Sequence, residues 1–211
     1  MSEKFFTPTE PKLGDILAFN TKGFLSMLIR IFSIGINHTE VIALNPETGN
    51  LECFSADSHG TRFKPIENVV READGNIYYL ELRDDVREKF DEVAFGEIIL
   101  QLQNIPYDVL HFIGVAIDDW HIDWLSIFPK IPEWLLKTIK GIFQNTETKS
   151  KVVCSGCAAW AYKQSLNINV NASEEMPLNI CQYNLYKVAY KILKGKDKGI
   201  SGYNQTNVLG E

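Results

Sequence analysis

Cysteine is scarce: the 211 residues hold four, Cys53, Cys154, Cys157 and Cys181. They are too few and too scattered to form the disulfide framework of a small secreted domain, so a reducing compartment is expected. Positive charge is also short. Lys and Arg number 21 against 27 Asp and Glu, for a formal charge of −6 and a pI near 5.3. With no dense basic stripe either, the composition argues against nucleic acid as the main partner. Long hydrophobic runs are missing. The longest early one, residues 24–36, contains Arg30 and falls short of the ~20 apolar residues that span a bilayer. The start, Met-Ser-Glu-Lys-Phe-Phe-Thr-Pro, lacks the basic region and apolar stretch of a secretory leader. The chain is therefore expected to begin here and to be cytoplasmic. No internal repeat is visible.

A hydrophobic content of 45% is ample for a core, and the length suits one ordinary domain with a sizeable insertion. Residues 15–19 read as a first strand launched from Gly14-Asp15. Leu25, Leu28, Ile29 and Phe32 then follow the i, i+3, i+4, i+7 spacing of a helix, which Gly35 and Asn37 end. Residues 38–44 are β-branched and apolar, 45–50 are rich in turn formers, and 51–56 resume strand character, together a hairpin signal. Residues 76–82 predict another strand. The charged stretch 83–103 predicts an amphipathic helix that Pro106 stops. Helices are expected over 154–164 and 182–193, and disorder over the Gly-, Lys- and Asn-rich 194–211.

Cys154 stands where an apolar, β-branched lead-in meets small residues and then helical spacing. A thiol in the first turn of a helix feels the positive end of the backbone dipole, which favours the thiolate. The unpaired amides beside it can hold an oxyanion. The plainer reading is a buried cysteine that begins a core helix.

Gly14-Asp15 opening a strand, an apolar helix, His38 starting the next strand, Tyr107-Asp108 and finally Cys154-Ser155 at a helix start occur in a particular order. In that order the chain resembles, over residues 11–165, the circularly permuted papain-like hydrolases of the NlpC-type superfamily. The likeness is greatest to the YiiX-like branch, relatives of lecithin retinol acyltransferase. The resemblance implies an α+β fold with a small antiparallel sheet packed against helices, a single domain over 1–193 and an aromatic helical insertion at about 109–150. It implies a cysteine hydrolase or acyltransferase that cleaves an amide or ester through an acyl-enzyme without metal or organic cofactor. Cys154 matches the nucleophile and His38 the base.

In that family a polar residue on the strand after the histidine orients the imidazole. Here the matching position is Ser55, short and neutral. Glu40, two residues after His38, shares its sheet face, and a turn centred on 45–50 sets position 40 nearly opposite Ser55. Glu40 is therefore the expected third member. Asp57 has the same facing and remains a competitor, since one residue of slippage reverses every side chain.

Two other readings follow from the same residues. With Ser55 at the polar position, the chain reads as a catalytically inactive papain-like binding module. Cys154 and Cys157, with Cys53, Cys181 or His38, read as a zinc site, although the second short Cys or His spacing is missing. His59, His111 and His121 read as loop, surface or packing residues. Residues 109–143 hold Trp120, Trp124 and Trp134, and suit core, a lid over an apolar pocket, or peripheral membrane contact through Lys130, Lys137 and Lys140. The substrate is accordingly expected to be a peptide-like amide or a lipid acyl group.

Overall fold

The structure, a computed structural model, describes residues 10–22, 35–57, 59–107, 153–172, 175, 177–196, 200 and 206–209. Its framework is a six-stranded sheet in the order β4-β3-β2-β1-β5-β6, with every neighbouring pair antiparallel. The strands are β1 (Ile16–Thr21), β2 (His38–Leu44), β3 (Leu51–Asp57), β4 (Gly60–Lys64), β5 (Gly75–Leu80) and β6 (Lys191–Lys194). Among the described residues, five helices accompany them: α1 (Ile66–Glu72), α2 (Asp84–Arg87), α3 (Glu92–Leu102), α4 (Cys154–Leu166) and α5 (Pro177–Gln182).

Alternation along each strand builds two cores. One face carries Leu17, Phe19, Ile42, Cys53, Ile77 and Tyr79, and α1 covers it with Ile66, Val69 and Val70. Those three apolar residues sit at i, i+3 and i+4, the stripe a short helix needs to pack one side inward. The other face carries Ile16, Ala18, Val41, Ala43, Phe54 and Tyr78 and receives the larger layer of α3, α4 and α5. Burial on both faces accounts for the unbroken apolar Val41-Ile42-Ala43 of β2.

Helix α4 lies close against its surroundings because its sequence is small. Ala158, Ala159 and Ala161 are fully buried, and a Cβ added at Gly156 would stand 3.2 Å from the Ala172 carbonyl. The helix ends at Asn167 in the left-handed conformation, φ 52°, a region Asn adopts more readily than most residues. Its far half is fastened to the sheet by Tyr162, whose hydroxyl donates to the Gly14 carbonyl at 2.6 Å.

Gly14-Asp15 proves to be a structural clamp. Gly14 has φ +82°, and a Cβ there would meet Leu82 and Phe90 at 2.9 Å. The buried Asp15 carboxylate accepts from the Leu82 amide at 3.0 Å and the Lys12 amide at 3.1 Å, and also from the Tyr79 hydroxyl and the Arg87 guanidinium. Burial nonetheless raises the Asp15 pKa, the donors offsetting only part of the desolvation.

Three expectations need correction. The helix expected over 83–103 is two helices, because Asp91 turns the chain and caps α3, accepting from the Val93 and Ala94 amides at 3.0 and 2.9 Å. The helix expected over 182–193 does not form. Tyr183 and Tyr186 are buried in irregular chain, and residues 191–194 pair with the otherwise open edge of β5; ladder hydrogen bonds and burial outweigh the local helical spacing there. Disorder from 194 onward does not hold for the described residues. Ile200 and Val208 are buried in the core, and Thr206 bridges to Tyr183. The helix expected over 24–34 and the aromatic stretch 109–143 lie outside the described residues, as does Asp108.

Candidate active site

The start of β2 and the start of α4 meet. Val153, the residue before α4, is extended (φ −104°, ψ 167°), and no side chain caps the helix. The first-turn amides are therefore left for other acceptors. The Thr39 and Ser155 amides and the His38 ring all act on the Cys154 sulfur, each favouring the thiolate. Cys154 is 1% exposed. Burial alone would raise its pKa, yet the His38 imidazolium and these donors bring it below the ordinary thiol value.

His38 is held from its other side. Its Nε2 lies 3.0 Å from Glu40 Oε1, which leaves Nδ1 as the nitrogen to face the thiol. Burial would favour the neutral ring, but the Cys154 thiolate and the Glu40 carboxylate hold the proton on and raise His38 to about 10. Thiolate and imidazolium thus stabilise each other. Glu40, 3% exposed, would be protonated by burial alone; His38 and Lys64 hold it ionised, below the usual carboxylate range.

The register explains why Glu40 and not Asp57 reaches the ring. Val41 pairs with Phe54 and Ile42 with Cys53, so one step further sets Glu40 across from Ser55. Ser55 is small enough to leave the carboxylate its space. Its hydroxyl donates to the Thr39 carbonyl at 3.0 Å and stands 3.4 Å from His38 Nε2. Asp57 turns instead to the basic side chains of β4. It accepts from Arg62 at 2.7 Å and pairs with Lys64 at 3.0 Å. Despite partial burial, Arg62, the His59 amide and Lys64 hold Asp57 far below the normal carboxylate range.

Beside the ring a cavity of about 220 Å³ opens, lined by Phe19, Thr21, His38, Lys64, Val69 and Ala73 among others. Phe19 packs its ring 5.4 Å from the imidazole. The His38 side chain is 24% exposed and that of Glu40 3%, so the ring meets the cavity more openly than the carboxylate does.

The structure thus brings together Cys154, His38 and Glu40, with Ser55 at their margin and Asp57 one residue further out. It does not bring Cys157 to the same place. That side chain joins the core under the sheet, where burial and the neighbouring thiolate raise its pKa. Cys181 is buried likewise, and no cluster of three or more His, Cys, Asp or Glu suited to a metal occurs among the described residues. Lys64 is the residue that sequence reasoning missed. Its signal was faint: Arg62 and Lys64 alternate on an edge strand that held too few apolar residues to be recognised.

No protein-family model matches the sequence, and no curated protein matches it significantly. Among solved structures, the chain is similar to the metalloprotein yiiX from Escherichia coli O157:H7. The TM-score is 0.50 and the identity 14%, over 76% of this chain and 69% of that one. At that identity the likeness speaks for the fold, an α+β arrangement like that of yiiX.

Proposed function

We propose that the chain is a cysteine hydrolase or acyltransferase of the permuted papain-like kind, acting on an amide or ester carbonyl. The observation that carries this reading is a helix-start thiol coupled to a histidine whose ring is held by a buried carboxylate. Such a set activates a nucleophile and orients its base at once.

In the reaction the Cys154 thiolate attacks the carbonyl carbon, and the oxygen gathers negative charge beside the first-turn amides of α4, with the Cys154 N–H and a neighbouring donor holding it. The His38 imidazolium gives its proton to the leaving nitrogen or oxygen as the C–N or C–O bond breaks, leaving a thioester on Cys154. His38, now neutral, takes a proton from water or an acceptor alcohol or amine. That nucleophile releases the acyl group and restores the thiolate. Glu40 keeps the ring oriented and balances the imidazolium charge in both halves.

The description of yiiX as a metalloprotein raises a metal alternative. The donors fit it poorly. The Lys64 ammonium lies 3.2 Å from Glu40 Oε1, the oxygen that also faces His38, and an ion bridging His38 and Glu40 would meet that charge directly. No step is therefore routed through a metal.

The test is hydrolysis of amide, thioester and lipid-ester probes by the full chain and by Cys154→Ala, together with trapping of the acyl-enzyme by mass spectrometry. A probe turned over by the wild type should lose at least ~10³-fold in the variant. Equal turnover by both proteins would sink the proposal. The aromatic 109–143 stretch points to an apolar acyl group, and co-sedimentation with liposomes separates that substrate class from a peptide-like amide.

A further inference from the structure

We propose that Lys64 is a positioning residue for this site: it neutralises the buried triad and holds the Glu40 carboxylate on His38, with Asp57 anchoring the lysine. The inference deepens the cysteine-hydrolase reading and rests on it.

A thiolate, an imidazolium and a carboxylate sum to one negative charge, and two of the three side chains are almost wholly buried. Burying a net charge is costly unless a counter-charge is supplied nearby. Lys64 supplies it. Its ammonium lies 3.2 Å from Glu40 Oε1 and 3.0 Å from Asp57 Oδ2, so it bridges the triad to an outer carboxylate. Asp57 is balanced in turn by Arg62 at 2.7 Å. The inner set then sums to zero, and so does the outer pair.

The ammonium also fixes which carboxylate oxygen works. Both His38 and Lys64 engage Oε1, while Oε2 is buried without a hydrogen-bond partner. The pull from two cations on one atom holds the carboxylate in that rotamer. Among the described residues, the other ionisable groups around Glu40 add no third cation. Cys53 of β3 lies against it with its thiol raised by burial and by Glu40, and Glu67 of α1 also acts on that thiol. Cys157 of α4 is neutral. Glu72 of α1 lines the same cavity, and the exposed His59 pairs with Asp57.

Removing a positive charge makes every proton in the site bind more tightly. In Lys64→Met the pH at which Cys154 becomes a thiolate should move up by about one unit, and Lys64→Arg should restore it. The measurement is the pH dependence of iodoacetamide alkylation at Cys154, read by mass spectrometry on the full chain. It needs no substrate, and on the acid limb it should show about tenfold slower labelling at a fixed pH. Lys64→Gln, which keeps a polar tip on the edge strand, should reproduce the displacement and guards against a folding defect in the methionine variant. An acid limb unmoved in both neutral variants, over a wild-type limb below the ordinary thiol range, would overturn the role of Lys64 alone. A wild-type Cys154 that labels like a free thiol would overturn this inference and the hydrolase reading together. A displacement that Lys64→Arg fails to reverse would also reject the charge role, since only side-chain shape would then explain it.

Discussion

Replacing Glu40 with Gln removes the charge behind His38 while keeping the shape of the side chain. The contact is 3.0 Å long. At an effective dielectric of about 20, two unit charges at that distance interact by roughly 5 kcal/mol, which sets a ceiling. Two effects lower it. Lys64 draws on the same oxygen, and a hydrogen bond between charged groups nets about 1.5–3 kcal/mol. Taking about 2 kcal/mol, the imidazolium of Glu40→Gln should lose its proton about 1.5 pH units below the wild type. In the wild type that loss falls near 10, and the chain holds only four histidines, so NMR titration of the ring resonances can isolate His38. Neutral-pH alkylation of Cys154 should slow as well, because the uncharged thiol–imidazole form gains on the ion pair. Asp57→Asn is the control: Asp57 engages Lys64 and Arg62 and makes no bond to the ring, so its effect on His38 should stay within about 0.5 pH unit. An unchanged His38 titration in Glu40→Gln, or an equal displacement in Asp57→Asn, would refute the assignment of the carboxylate.

Further outcomes concern stability. Tyr162→Phe removes a buried donor to the Gly14 carbonyl and should cost about 1–2 kcal/mol in urea unfolding. No loss would mean that the hydroxyl does not hold α4. Asp15→Asn strips the charge facing Arg87, which is 23% exposed. The expected loss is about 2–3 kcal/mol, below the ~3–5 kcal/mol of a fully buried pair, and chemical denaturation reads it directly. His38 has a raised folded pKa, so its contribution is present below the unfolded value and disappears as pH rises towards about 10. Glu40 is lowered, so its contribution is present above the ordinary carboxylate value and is lost as pH falls. His38→Gln should flatten the alkaline side of the stability profile, and an unaltered profile would count against the ion pair.

The hairpin was legible because its information is local. Turn formers at 45–50 and alternation on either side marked the hairpin and suggested Glu40 near Ser55, and the pairing of Val41 with Phe54 then decided between it and Asp57. Helix α4 was legible for the same reason, from the small residues and their spacing after Cys154. Strand β6 was not, because residues 191–194 become a strand only when the edge of β5 is there to pair with them. Strand β4 has one large apolar residue, Phe63, among polar neighbours, so its alternation was too thin to read. Lys64 was lost with it. A charge that serves a site across neighbouring strands gives no signal in its own segment.

The fastening of α4 has a consequence for how such a site can vary. Cys154 meets His38 by docking of a helix onto the sheet, through Tyr162 on Gly14 and alanines on the apolar face. The separation of sulfur and ring is then set by side chains far from both in the sequence. A substitution that loosens this docking, at Tyr162 or among the alanines, would part the thiol from the ring without touching either side chain.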